Sequence, residues 1–228
     1  MTAVQIPFNI PVREAFNAED YLVTASNVEA VNWIDRWPDW RGVHCTILYG
    51  TRGCGKTHLS HVWQQKAGAK YGDLTQITTA DLDQMPACLV LEDVDGLLTG
   101  IEQQEMLFHL YNWQKEKGGS LLLTAAQHPK HWPLSLPDLQ SRMLAAISIE
   151  IGAPDDELLA AVIVKQFTDR QINVPQEVVN YLMLRIERSF AAARDIVSRI
   201  DTLALSRQRK ITVPLVRNLL DDLPENEV

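Results

Sequence analysis

Residues 44–57 read His44-Cys45-Thr46-Ile47-Leu48-Tyr49-Gly50-Thr51-Arg52-Gly53-Cys54-Gly55-Lys56-Thr57, a β-branched and aromatic run that passes at a glycine into a complete G-x-x-x-x-G-K-[ST] phosphate loop. Close approach of backbone amides to a phosphate needs conformations that side chains forbid, and Gly50, Gly53 and Gly55 supply them. In such a loop Lys56 reaches the β- and γ-oxygens and the Thr57 hydroxyl holds Mg²⁺. Leu59, Val62, Trp63 and Ala67 recur at helical spacing, so the loop opens a helix whose N-terminal partial charge faces the anion. Strand, loop and helix in that order make Gly50, Thr51, Arg52, Gly53, Cys54, Gly55, Lys56 and Thr57, with His58 beside them, the candidate nucleotide site.

Outward from this loop, helical and extended patterns alternate up to about residue 150. The spacing predicts a helix over 26–37, a weak strand over 74–77, strands over 88–91, 121–124 and 146–151, and a helix over 102–117. Alternation of this kind gives a parallel sheet with helices on both faces. Near Gly152-Ala153-Pro154 the pattern turns wholly helical. Amphipathic helices are predicted over 155–170, 175–186, 189–206 and 213–221, with Pro175 and Pro214 at helix starts, where proline is tolerated. The expected organisation is an N-terminal segment (1–20), an α/β domain (21–152) and a small helical domain (153–228).

Composition fits an ordinary globular protein: 228 residues, 46% hydrophobic and 22% charged. No apolar run reaches the length of a membrane span, and the N-terminus lacks the basic and apolar regions of a signal peptide, so a cytoplasmic location and no membrane partner are expected. Cys45, Cys54 and Cys88 give neither a disulfide framework nor a metal spacing. A net charge of −8 argues against autonomous duplex binding, which draws its affinity from clustered Lys and Arg. The densest basic cluster, Arg207-Gln208-Arg209-Lys210, lies at a predicted helix end and reads as dipole compensation. DNA contact through a partner remains open.

Leu89-Val90-Leu91-Glu92-Asp93 is an apolar strand ending in two acids, the form that brings a metal-binding carboxylate and a water-polarising one beside a phosphate loop. With Leu121-Leu122-Leu123-Thr124, Leu136-Pro137-Asp138-Leu139-Gln140-Ser141-Arg142 and the helical C-terminal part, the chain resembles the Hda/DnaA-related branch of the AAA+ ATPases. Three features favour the short, Hda-type members: the sequence stops after the predicted helical lid, no helix-turn-helix follows, and a glutamine-led hexapeptide lies near the start.

The resemblance implies a P-loop AAA+ fold with a helical lid, ADP or ATP as ligand, and Mg²⁺ held by Thr57 and Glu92, with Asp93 at the position of the catalytic acid. Arg142 falls where the family carries an arginine finger that acts in trans; an ordinary ion pair with Asp138 one turn earlier is the alternative. Tyr21 and Val23 correspond to the adenine-contacting segment. The second sensor falls at Ala191, leaving Arg188 and Arg194 as flanking candidates, and Thr124 is the only polar group at the first sensor. Weakened γ-phosphate contacts imply firm ADP binding and weak or no ATPase activity.

Gln5-Ile6-Pro7-Phe8-Asn9-Ile10 resembles the peptide with which Hda-type proteins bind the sliding clamp, with Gln5, Ile6, Phe8 and Ile10 as contacts. The implied function is an ADP-bound adaptor that docks on the DNA-loaded clamp, stimulates ATP hydrolysis by the initiator DnaA and so prevents over-initiation. Nucleoid association through the clamp and a homo-oligomer fit that reading. An autonomous ATPase, such as a helicase loader or DNA remodeller, and a non-catalytic tether of DnaA-family partners are the alternatives. His58 and His61, one helical turn apart, and the Trp33, Trp37 and Trp40 series read as packing or surface groups rather than as metal or base contacts.

Overall fold

The computed structural model describes residues 12–13, 21–40, 42–207 and 210–221. In chain order the first elements are β1 (Val12–Arg13), β2 (Tyr21–Leu22), α1 (Val28–Asp35), β3 (Cys45–Tyr49), α2 (Lys56–Ala67), β4 (Lys70–Gly72) and β5 (Cys88–Leu91). They are followed by α3 (Val94–Leu97), α4 (Ile101–Lys117), β6 (Ser120–Ala125), α5 (Pro137–Ala145) and β7 (Ile147–Glu150). Helices α6 (Asp156–Asp169), α7 (Gln176–Met183), α8 (Phe190–Arg207) and α9 (Val213–Asp221) complete the chain. Backbone contacts divide it into two bodies: Val12–Thr51 with Gly55–Gly152, and the residues from Ala153 onward with Arg52–Cys54.

The first body is built on a five-stranded parallel sheet in the order β4-β5-β6-β3-β7. Cys45 pairs with Leu121 and Tyr49 with Ala125, which brings the ends of β3 and β6 level at the point where the phosphate loop begins. Leu121, Leu122 and Leu123 are all fully buried, as an unbroken apolar run must be when a parallel sheet is covered on both faces. On one face Ile47, Leu89, Leu91, Leu121 and Leu123 join Leu107, Leu110 and Met143 from α4 and α5 in a single core. On the other face the indole N–H of Trp33 in α1 donates to Thr46 Oγ1 at 3.0 Å. Burial in the first core pushes the Cys45 thiol up to about 12.

The weak strand expected over 74–77 is corrected. The edge strand is β4, four residues earlier, and the chain turns away after it because Asp73 accepts hydrogen bonds from the Thr75 backbone N–H and hydroxyl at 2.9 and 2.7 Å. Leu74 and Ile77 are apolar because they pack on the core from this turn. Helix α5 was not foreseen as an element; Pro137 occupies its first turn, where the absent N–H costs nothing.

In the second body Asp155 caps α6 by accepting the Leu158 N–H at 2.8 Å. Leu159, Ile163, Phe167, Val179, Val197 and Val216 belong to its apolar core, and Arg170 in α6 meets Asp201 in α8 at 3.8 Å. Pro175 caps α7 and Pro214 lies in the first turn of α9. Among the described residues no helix is long and apolar enough to cross a membrane.

Candidate functional site

The chain leaves β3 at Tyr49 and enters the loop, where Gly53 (φ 77°) and Gly55 (φ 111°) take conformations closed to L side chains. Gly55 caps α2 without any side-chain hydrogen bond, so the first amides of a twelve-residue helix have no capping acceptor from that residue. Lys56 is 8% exposed and its ammonium donates to the carbonyls of Gly50 and Thr51 at 2.7 and 3.1 Å. A buried ammonium, glycines in left-handed conformations and the amides of a helix start together fit the phosphates of a nucleotide. Gly53 answers a second demand within the helical body. Its carbonyl accepts the Phe190 N–H at 2.9 Å, and a Cβ there would meet Ser189 Cβ at 2.8 Å.

Strand β5 delivers the two acids. Glu92 is half-buried and Asp93 exposed. Asp93 adopts φ 49° and ψ 42°, a left-handed conformation that costs a non-glycine residue about 1 kcal/mol or more. Its N–H donates to Thr124 Oγ1 at 2.9 Å, so one lone pair of the hydroxyl at the first-sensor position is committed to the acid strand, and its single proton can still be given. Thr57 is exposed, one helical turn from Ser60, and the Ser60 hydroxyl lies 3.0 Å from Glu92 Oε1. Threonine hydroxyl and carboxylate oxygens are the hard donors that Mg²⁺ takes alongside phosphate, so the donor chemistry of Thr57 and Glu92 fits that ion.

Arg142 lies in α5, with its guanidinium carbon 4.9 Å from the Phe108 ring centre and 5.4 Å from that of Tyr111 on α4. Its Nε is buried without a hydrogen-bond partner, and among the described residues no ion pair joins it to Asp138 or to any other carboxylate. The alternative of an intrahelical salt bridge is thereby corrected: aromatic faces, not an acid, hold this arginine. Burial raises the Tyr111 hydroxyl above its ordinary value, with Arg142 acting in the opposite sense.

Arg188 is taken by Asp156 at 2.9 Å, both side chains being exposed, whereas Arg194 and Ala191 are exposed on α8. Of the adenine candidates, Tyr21 belongs to β2, paired antiparallel with β1, and Val23 is half-buried ahead of α1. Gln5, Ile6, Phe8 and Ile10 lie outside the described residues. No cluster of three His, Cys, Asp or Glu side chains able to hold a metal occurs among the described residues; His58 and His61 lie on α2, and the His61 ring centre is 5.0 Å from that of Tyr71. Cys54 is 2% exposed. Trp40 and Trp37 pack on Trp63 at centroid distances of 5.3 and 5.4 Å and on each other at 5.0 Å, and Trp33 stacks on Trp40 at 5.6 Å.

Sequence reasoning missed three groups. Asp95 accepts the N–H groups of Ala126 and Gln127, and Ser60 and Tyr71 hydrogen-bond beside Glu92. Asp95 was visible as the third acid of Glu92-Asp93-Val94-Asp95, and Ser60 as the residue one turn beyond Thr57. Tyr71 offered no signal, because its role depends on where the edge strand falls.

The model of the lid domain of Hda matches residues 155–220. An uncharacterized protein of Haemophilus influenzae is 26% identical over 185 residues, covering 76% of this chain and 80% of that protein. The chromosomal replication initiator protein DnaA of Leifsonia xyli is 23% identical over 202 residues, covering 78% of this chain and 42% of the initiator. The chain spans less than half the length of the DnaA relatives it matches. Domain III of the Thermotoga maritima initiator DnaA superposes with a TM-score of 0.79 at 18% identity, covering 94% of this chain and 99% of that one. DnaA from Aquifex aeolicus bound to AMPPCP does so at 0.69 and 20% identity, covering 82% and 65%. A phosphate loop on a parallel sheet, an acid-ended neighbouring strand and a lid that matches the Hda model converge on one likeness: the chain is similar to the Hda/DnaA-related AAA+ proteins.

Proposed function

We propose that this protein holds ADP, with Mg²⁺ at Thr57 and Glu92, and acts as a regulatory adaptor that presents Arg142 to ATP bound by a replication initiator of the DnaA type. The observation that carries the reading is the state of Arg142. Its charge is spent on no carboxylate among the described residues and rests on Phe108 and Tyr111, so it can be lent to a phosphate without first breaking an ion pair. A guanidinium delivered across an interface neutralises charge on the transferring phosphoryl group and is worth about 10³ to 10⁵ in rate. Docking on a DNA-loaded sliding clamp through Gln5, Ile6, Phe8 and Ile10 would raise the local concentration of adaptor where the initiator works.

The test is phosphate release from ATP-loaded initiator in the presence of clamp, DNA and the full chain. Stimulation is expected, and Arg142→Ala should reduce it by at least about 10³. Full stimulation by Arg142→Ala removes the finger. Deleting residues 1–10 should abolish the dependence on clamp, and an unaltered dependence removes the docking role. One observation favours a second reading, an autonomous ATPase: Glu92 and Asp93 both stand at the end of β5 with the phosphate loop intact. Robust turnover by the isolated protein would select it.

A further inference from the structure

Glu92 is tied to the phosphate-loop helix by a hydroxyl that has two acceptors and one proton. Ser60, fully buried and one turn along α2 from Thr57, places its Oγ 3.0 Å from Glu92 Oε1, 2.8 Å from the Thr57 carbonyl oxygen and 2.9 Å from the Tyr71 hydroxyl. A serine hydroxyl carries one hydrogen and two lone pairs. Tyr71 can therefore donate to Ser60, and Ser60 can pass its own proton to only one of Glu92 and the Thr57 carbonyl at a time.

We propose that Ser60 and Tyr71 are positioning residues for the metal-facing carboxylate: Ser60 anchors Glu92 Oε1, Tyr71 orients the Ser60 hydroxyl, and Glu92 Oε2 is left as the oxygen available to a cation. The inference rests on the reading of Thr57 and Glu92 as the magnesium ligands. A glutamate has one more rotatable bond than an aspartate, so its carboxylate needs an anchor to stay in one arrangement. The second acceptor makes the anchor adjustable. If Oε1 is drawn toward the ion, the Ser60 proton turns to the Thr57 carbonyl and no buried donor is orphaned. The same serine is thus joined to both proposed ligands, to one through its side chain and to the other through its main chain.

The experiment is calorimetric titration of the full chain with ADP, in excess Mg²⁺ and in EDTA, the readout being the ratio of the two dissociation constants. Ser60→Ala, and Ser60→Cys as a near-isosteric poor donor, should keep the wild-type affinity in EDTA and lose about tenfold of the gain from Mg²⁺, as outer-shell partners of metal ligands do. Tyr71→Phe keeps the ring and serves if the Ser60 variants fail to fold; it should lose a smaller part of the same gain. A wild-type ratio in folded Ser60→Ala overturns the anchor, and one in Tyr71→Phe overturns the relay to tyrosine. The ligand assignment beneath is separated by Glu92→Gln: if that variant keeps the full Mg²⁺ gain, the assignment falls and the proposal with it.

Discussion

The carboxylate of Asp95 gathers three contacts from one loop: the Ala126 N–H points at both of its oxygens, at 3.1 and 2.9 Å, and the Gln127 N–H donates at 3.1 Å. Two residues back, the Asp93 N–H donates to Thr124 Oγ1. The end of β5 and the end of β6 are therefore laced together by bonds running in both directions, and the left-handed backbone at Asp93 is held in place by this lacing. Charge-assisted bonds to main-chain N–H groups are stronger than neutral ones, but Ala126 and Gln127 are exposed and water can replace the acceptor. Asp95→Ala is accordingly expected to cost about 1–2 kcal/mol in urea unfolding. A loss within about 0.5 kcal/mol, the range of an ordinary surface substitution, would mean that the lacing contributes nothing.

Helix α2 shows what an element needs beyond its own sequence. It has few apolar residues, yet its N-terminus must stay aimed at the phosphate loop, and Trp63 supplies the anchor. That side chain is fully buried, stacked on Trp40 at 5.3 Å and 1° and edge-on to Trp37 at 5.4 Å. Aromatic pairs add about 0.5–1.5 kcal/mol each beyond the area they bury. Trp63→Ala should thus destabilise the protein by about 3–5 kcal/mol in chemical denaturation, with Trp63→Phe well below that; equal costs for the two would show that the stack is incidental. Elements such as α2, β3, β5 and β6 were legible because periodicity and a nucleotide motif agreed. The edge strand β4 was not, since Lys70-Tyr71-Gly72 has no apolar alternation and the neighbouring Leu74 and Ile77 are apolar for a different reason, plugging the core from a turn. The candidate site divides the same way. Gly53, Lys56, Thr57 and the acid pair Glu92-Asp93 were proposed from motif spacing and Arg142 from the family resemblance, whereas Ser60 and Tyr71 come into view only when α2, β4 and β5 are brought side by side.

For the whole molecule the decisive quantity is charge. Twenty-one Lys and Arg face twenty-nine Asp and Glu, a net charge of −8, and the described arginines are largely committed locally: Arg170 to Asp201, Arg188 to Asp156, Arg199 to Asp195, Arg142 to two rings. A surface of that sign gains little from displacing the counterions of a duplex, which is the main source of sequence-independent DNA affinity. Association with DNA should then depend on a protein partner. The measurable consequence is that the chain alone, titrated against a labelled duplex by fluorescence anisotropy between 50 and 200 mM salt, should bind no tighter than about 10⁻⁴–10⁻⁶ M with a shallow salt slope. Adding a clamp loaded on the same DNA should convert this into saturable binding that disappears when residues 1–10 are deleted. Nanomolar binding by the chain alone, falling steeply with salt, would place the DNA contact on this protein itself and make the partner unnecessary.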